Sequence, residues 1–345
     1  MYPSIKIPFL PYEWASVSLY FLAIALGFGC AAFLMWRHAR DYDIDQDRFT
    51  DFIIWMLIMG VLGSRLMHVL ADGFLMDYVN LCIDPMLLEG RALKTLDACV
   101  SNTQCLQAQS AGQDIGAICN PEDGLCYPQR DCLRWAKFWA GGLTVYGGLI
   151  AAVTFAYFWI RRTTWGFARL ADLAGPGIFF GIAIGRLGCL AAGCCYGDLC
   201  DVEALGIHFP TGSPAYQHHF EEHYHALDAQ WQAGTQASLA VWPTQYISSV
   251  YNFLIFAFGY FYLRPRKRFH GQVILTCAIM YGLCRFGIEF IRADFRGGAL
   301  GLSTSQLISI PVLLGSIYLL FVLYKRARAK ASADATAQES VSEEE

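Results

Sequence analysis

Long apolar runs alternate with polar turns along the whole chain, and each run is about as long as a bilayer is thick. About 20 consecutive apolar residues cross a hydrocarbon core as a helix. Seven such runs stand out, near 14–36, 51–71, 139–160, 172–193, 243–263, 271–291 and 303–324. They predict an all-α membrane protein with seven transmembrane helices. Two polar excursions interrupt the pattern. Residues 72–138 are rich in Asp, Gln, Asn and Gly and carry six cysteines, while residues 198–242 carry His218, His219, His223 and His225. Residues 1–325 read as one membrane domain containing both excursions. The Ala-, Ser- and Glu-rich residues 326–345 are expected to form a disordered cytoplasmic tail. No internal repeat is present.

Composition supports this class. Of 345 residues, 55% are hydrophobic and only 16% charged, with mean hydropathy +0.36, whereas soluble domains carry about 25% charged residues. The net charge of −4 is swayed by the terminal Glu343, Glu344 and Glu345. No basic patch is interleaved with aromatics, so nothing points to nucleic acid. Residues 1–14 lack a basic segment followed by an apolar one, and no cleavable signal peptide is expected.

Positive charge gives the orientation. The turns after the first, third, fifth and seventh runs hold Arg37, Arg40 and Arg48; Arg161, Arg162 and Arg169; Arg264, Arg266, Lys267 and Arg268; and Lys325, Arg326, Arg328 and Lys330. The N-terminus is therefore expected outside and the C-terminus in the cytoplasm. Both excursions then face an oxidising compartment, which suits the cysteines. Cys82, Cys99, Cys105, Cys119, Cys126 and Cys132 read as a disulfide framework whose connectivity the sequence leaves open.

Four arginines fall inside apolar runs: Arg65, Arg186, Arg285 and Arg292. Such a charge costs about 2.5–3.5 kcal/mol on insertion scales and marks a functional site by default. The densest stretch runs from Gly185-Arg186-Leu187-Gly188-Cys189 through Gly193-Cys194-Cys195-Tyr196-Gly197, where glycines allow close approach of a backbone or ligand. Arg285, Glu289 and Arg292 are spaced i, i+4 and i+7, which predicts one shared helical face. One carboxylate between two guanidinium groups leaves positive charge over. With Arg186 and Arg65 the set suits an anionic phosphate group held through bidentate contacts; a structural Arg–Glu–Arg lock is the alternative.

Further candidates are weaker singly. Gly141-Gly142-Leu143-Thr144-Val145-Tyr146-Gly147-Gly148 suggests a bent segment lining a wet cavity. Tyr146 is placed there to hydrogen-bond a head group or leaving group, or to anchor the helix at the interface. Arg65 and His68 lie near the outer end of the second run, where His68 is a candidate proton acceptor. His219 and His223, at i, i+4, lack a clear third ligand and read as part of a solvated amphipathic helix, so no metal site is expected. Cys189, Cys194, Cys195 and Cys200 read as disulfides pinning the loop, with a reactive thiol pair beside Arg186 as the alternative.

Taken in order, Gly63-Ser64-Arg65-Leu66, the Gly141–Gly148 stretch, Gly185-Arg186-Leu187-Gly188, Pro243-Thr244-Gln245, Arg285 with Glu289 and Arg292, and Leu302-Ser303-Thr304-Ser305-Gln306 resemble the prolipoprotein diacylglyceryl transferase family. The resemblance covers most of residues 14–325 outside the insert at 72–138. It implies a seven-span enzyme of the bacterial inner membrane that uses no cofactor. Such an enzyme moves diacylglyceryl from phosphatidylglycerol, or a related phospholipid, to the lipobox cysteine in the signal peptide of a prolipoprotein. Arg186 and Arg285 match the family's main arginines near the donor phosphate. Glu289 and Arg292 match its supporting charged pair, and Gly142, Gly147 and Gly197 match motif glycines, with Gly188 in the arginine motif. The chain departs from the family pattern where Tyr146 replaces a histidine and where Cys189, Ala192 and Cys194 replace two Asn and a Glu. Two other readings therefore remain: a divergent transferase in which the cysteine cluster takes part, and a non-catalytic lipid-binding or assembly protein.

Overall fold

The computed structural model describes residues 4–6, 16–71, 73–93, 98–110, 116–137, 144–202, 204–211, 213–232, 237–293, 298–299 and 301–344. Gly141 and Gly142, and the first residues of the expected opening span at Trp14 and Ala15, lie outside them. Twelve α-helices are present among the described residues. Six of their segments are long and apolar enough to cross a membrane: Leu19–Tyr42, Gln46–Leu70, Phe167–Ala192, Thr244–Arg266, Gln272–Ile291 and Thr304–Asp334. They coincide with six of the seven expected runs. The third run forms a helix of only 17 residues, Val145–Arg161, about 25 Å long at 1.5 Å per residue. Leu62, Leu66 and Leu70 are each more than half exposed, as are Phe261, Leu314 and Tyr318. Apolar surface on this scale is stable against lipid rather than water.

The chain divides into two compact units, Thr50–Thr164 and Met1–Phe49 with Trp165–Glu345. In the first, α2 (Gln46–Ala71) packs on α5 (Val145–Arg161) through glycines. A Cβ on Gly63 would sit 2.6 Å from Gly147 O, and one on Gly147 would sit 2.4 Å from Gly63 O. Small residues permit this backbone approach. Ser64 Oγ donates to Thr144 O at 2.8 Å, tying the two helices at the same level.

Between these helices the insert carries α3 (Leu75–Ile83), α4 (Asn102–Ser110) and an antiparallel hairpin of β-strands Ile118–Asn120 and Leu125–Tyr127. Its disulfides are Cys82–Cys132, Cys99–Cys119 and Cys105–Cys126. Cys119 and Cys126 are cross-strand partners, so both hairpin strands are stapled to the segment around α4. A small core of Leu93, Ala108 and the buried cysteines fills the space between. An apolar core this small does not hold a polar segment alone; the cross-links supply the remainder.

The larger unit contains α1 (Leu19–His38) and α6 (Phe167–Ala192), with α9 (Thr244–Ala257) continuing as a π-helix over Phe258–Leu263 and then α10 (Arg264–Arg266). It is completed by α11 (Gln272–Ile288) and α12 (Thr304–Glu344). Phe179, Ile255, Phe256, Leu263, Val273 and Cys277 form the core between α6, α9 and α11. Buried Asp172 of α6 accepts from the backbone N–H groups of Gly271, Val273 and Ile274 at 2.8, 2.9 and 3.1 Å. A carboxylate thus satisfies three of the orphan donors at the α11 N-terminus and complements its dipole. α12 runs on to Glu344, so residues 326–344 are helical where a disordered tail was expected. Alanine, the strongest helix former, recurs through that stretch.

A polar head at residues 197–242 carries the short helices α7 (Pro214–Glu222) and α8 (Tyr224–Gln232). It packs around Tyr196, Phe209, Ala215 and Val241. Gly197 bridges to Arg292, and a Cβ there would lie 2.5 Å from Ile291 O and 2.6 Å from the Trp242 Cβ. Only glycine fits that crossing.

Candidate anion site in the membrane

The larger unit holds three of the four arginines, Arg186, Arg285 and Arg292, together with Glu289. Arg285 lies in the last turn of α11, and its Nη2 is 2.8 Å from Glu289 Oε2, with side-chain exposures of 8% and 6%. The same Nη2 donates to Ser305 Oγ at 2.6 Å. The Arg285–Glu289 approach is an ion contact rather than an aligned hydrogen bond, since Oε2 has no hydrogen-bond partner. Arg285 Nη1 is also buried without one. Arg186 and Arg292 both lie within electrostatic reach of Arg285. Among the described residues no carboxylate pairs with Arg186, although it is half-buried in α6. The group is therefore net cationic and retains an open guanidinium donor.

One expectation about this group is corrected. Arg285, Glu289 and Arg292 do not share a helical face, because α11 ends at Ile288. Glu289–Ile291 form a 3₁₀ turn, and Arg292 is extended, with φ −106° and ψ 127°. Its backbone bridges to Gly197 instead, which the i+7 spacing alone does not reveal.

α9 supplies a polar stripe. Thr244, Gln245, Ser248, Ser249 and Asn252 are all buried, on one side of an otherwise apolar span. Thr244 Oγ1 donates to Cys195 O at 2.7 Å and Gln245 Nε2 to Cys194 O at 2.9 Å. Ser249 Oγ donates to Ala183 O at 2.8 Å. Gln245 Oε1 and Asn252 Oδ1 are buried without a partner. Tyr251 lies within electrostatic reach of both Arg186 and Arg285. Of this stripe the motif reading picked out Thr244 and Gln245. The i, i+4, i+8 recurrence of Thr244, Ser248 and Asn252 was the signal for the rest.

Tyr20 was also missed. It opens α1, its backbone packs on Gly188, and it is an electrostatic neighbour of Arg186, Cys189, Cys194 and Cys195. Gly188 is thus the crossing point of α1 on α6. Cys189, Cys194 and Cys195 remain thiols, with their three Sγ atoms within 4.8 Å of one another. Cys200 Sγ donates to Val202 O. The expected loop-pinning disulfides are absent from this cluster, and Thr244 and Gln245 pin the loop instead.

The remaining candidates belong to the smaller unit. Arg65 donates through Nε to Trp135 O and through Nη2 to Arg134 O, each at 2.6 Å, and lies over the Tyr78 ring. It ties α2 to the end of the insert. His68 packs against Phe74 and Tyr78, with ring centroids 4.7 and 6.2 Å apart. Tyr146 is exposed in the regular first turn of α5, and Gly147 makes the α2 contact described above.

The histidines of the head also differ from expectation. α7 is not simply solvated: His219 is 2% exposed, and its Nδ1 accepts from Leu239 N at 3.1 Å. With His218, Glu222, His223 and Asp198 it lines a cavity of about 220 Å³. His218 Nε2 lies 3.0 Å from Glu222 Oε2. Burial and the neighbouring histidines push the His219 pKa down to about 4.

Comparison with known proteins identifies the family. The family model described as prolipoprotein diacylglyceryl transferase matches residues 10–88 and 123–322. The unmatched stretch, 89–122, is narrower than the insert and holds Cys99, Cys105 and Cys119. The phosphatidylglycerol–prolipoprotein diacylglyceryl transferase 2 of Clostridium perfringens is 26% identical over 300 residues, 87% of this chain and 88% of the relative. The corresponding transferase of Clostridium tetani is 25% identical over 295 residues, 86% and 88% of the two chains. That of Finegoldia magna is 33% identical over 187 residues, 54% and 63%. With its arginine motifs inside the matched regions, this chain belongs to the prolipoprotein diacylglyceryl transferase family.

Proposed function

We propose that the protein transfers diacylglyceryl from phosphatidylglycerol to the lipobox cysteine of a prolipoprotein. The observation that carries this reading is the buried, unpartnered Nη1 of Arg285, in one electrostatic group with Arg186. A phosphodiester supplies the missing acceptor and the missing negative charge. Arg285, braced by Glu289 and Ser305, and Arg186 hold the donor phosphate. They stabilise the charge that grows on it as glycerol phosphate leaves. The acceptor sulfur attacks the glyceryl carbon as a thiolate, and its proton must pass to a base. Tyr146 and His68 are the candidates for that base, with Arg65, Gly142, Gly147, Gly188, Gly197, Arg292, Cys189 and Cys194 as supporting residues.

The same reading places the protein in the bacterial inner membrane with seven spans, α5 being the seventh. The N-terminus is outside and residues 326–345 are cytoplasmic, as the distribution of Lys and Arg supports. The insert at 72–138 and the head at 198–242, both within the 1–325 membrane domain, then face outward. The three disulfides support this, since they persist in an oxidising compartment.

The test is a transfer assay with purified protein, labelled phosphatidylglycerol and a lipobox peptide. Wild type forms thioether-linked diacylglycerol, and Arg186→Ala lowers turnover on the order of 10²–10³-fold, the usual effect of removing one donor to a developing anion. Labelled lipid bound without product would overturn the transferase reading and favour a lipid-binding protein.

A further inference from the structure

The end of α6 is shaped around three sulfur atoms. Cys189 is in its last turn, Gly193 closes the helix in the left-handed region at φ 65°, and Cys194 N returns to Cys189 O at 3.2 Å. Cys195 then adopts φ +63°. A left-handed non-glycine residue costs about 1–2 kcal/mol and persists where its surroundings fix it. Here they do: Thr244 and Gln245 of α9 hold the carbonyls of Cys195 and Cys194. The result is three Sγ atoms within 4.8 Å of one another.

That spacing is close to a metal's. Zn–S bonds of about 2.3 Å in tetrahedral geometry put sulfurs about 3.8 Å apart, so each pair must close by no more than about 1 Å. Among the described residues, Cys99, Cys105 and Cys119 converge comparably, but they are spent in disulfides. The ligand set at α6 is all sulfur, which selects thiophilic ions over hard ones. Three thiolates around Zn²⁺ carry net charge −1, and around Cu⁺ −2. Arg186, three residues before Cys189 and its electrostatic neighbour, offsets that charge.

We propose that Cys189, Cys194 and Cys195 bind one thiophilic d¹⁰ cation, Zn²⁺ or Cu⁺, as three thiolates at the end of α6, leaving a fourth coordination position open. Binding replaces three S–H bonds by three S–metal bonds and releases three protons to solvent; no electron is transferred. Thr244 and Gln245 act as positioning residues. The site does not depend on the transferase reading, and its test measures metal directly.

Full-length protein purified anaerobically in detergent is loaded separately with Zn²⁺, Cu⁺ and Co²⁺, desalted, and analysed for metal per chain. The expected result is one equivalent of Zn²⁺ or Cu⁺, with Co²⁺ giving a thiolate-to-metal charge-transfer band in the near ultraviolet. Cys194→Ser abolishes both signals, while Cys277→Ser, in the α9–α11 core, keeps them. Thr244→Ala leaves all three ligands in place and lowers affinity on the order of 10–100-fold, as loss of ligand positioning does. That variant, with the wild-type cobalt spectrum, decides the matter if Cys194→Ser does not fold. No retained metal in the reduced wild type overturns the proposal. So does metal without a thiolate band that survives the cysteine substitutions, because it would sit in the cavity of His218, His219 and His223.

Discussion

Arg285 spends one end of its guanidinium on Glu289 and Ser305 and keeps the other, Nη1, buried and unpartnered. A buried charge pair is weak evidence for stability by itself, because desolvation consumes most of the Coulombic gain. Here the pair sits beside Arg186, with which no carboxylate pairs among the described residues, so positive charge remains over. The Glu289–Arg285 contact therefore orients a cation more than it neutralises one.

Arg285→Lys keeps the charge but loses the planar fork. The expected outcome is a fall in turnover on the order of 10²-fold with a small change in thermal unfolding. Glu289→Gln instead leaves Arg285 uncompensated, which costs about 3–5 kcal/mol for a buried pair, and it lowers the unfolding temperature as well as the turnover. Wild-type turnover in Arg285→Lys would rule out a bidentate role.

Asp172 makes a purely structural counterpart. Its two oxygens take three backbone N–H groups at the start of α11. Asp172→Asn turns one acceptor into a donor facing an N–H, and leaving a buried donor unsatisfied costs about 1–3 kcal/mol. Thermal unfolding in detergent should register that loss. A stability equal to wild type would mean that water or lipid headgroups reach those donors.

Six of the seven expected spans were legible because apolar length alone defines them, and Arg186, Arg285 and Glu289 stood out because charge inside such runs is rare. What escaped the sequence depended on where helices end and which backbones touch. Arg292 left the expected face because α11 gives way to a 3₁₀ turn at Glu289. Gly147, Gly188 and Gly197 proved to be crossing points, each blocked to a Cβ by a neighbouring residue. Tyr20 joined the site through packing between α1 and α6, which no local pattern encodes. The loop after α6 is pinned by hydrogen bonds from Thr244 and Gln245 of α9 rather than by disulfides, which cysteine spacing does not reveal.

The insert tests a different balance. Closing loops of 20 and 21 residues through Cys99–Cys119 and Cys105–Cys126 contributes about 3 kcal/mol each in the chain-entropy account. Residues 89–122 are accordingly expected to become protease-sensitive on reduction, and Cys105→Ser alone should expose them partly. Full protection after reduction, read by limited proteolysis, would show that the small core around Leu93 suffices.

His219 links the head to pH. Its ring is buried and accepts from Leu239 N through Nδ1, so the folded form holds it neutral. Protonation at Nδ1 would break that bond. Burial, then the charges of His218 and His223, set its pKa near 4, and Glu222 opposes them. The ordinary value is about 6.5. At pH 7 the folded form is neutral and the unfolded form mostly so, and the group contributes little to pH dependence. As pH falls below 6.5 the unfolded chain gains a proton that the folded head refuses, so stability drops until about pH 4. The full loss is about 3 kcal/mol at 1.36 kcal/mol per pH unit. His219→Asn retains an acceptor for Leu239 N without the titration. The difference in unfolding free energy between wild type and variant should therefore shrink or reverse in the variant's favour between pH 7 and pH 4.5. If both lose stability in parallel over that range, His219 is not the group that responds, and the acid sensitivity of the head lies elsewhere.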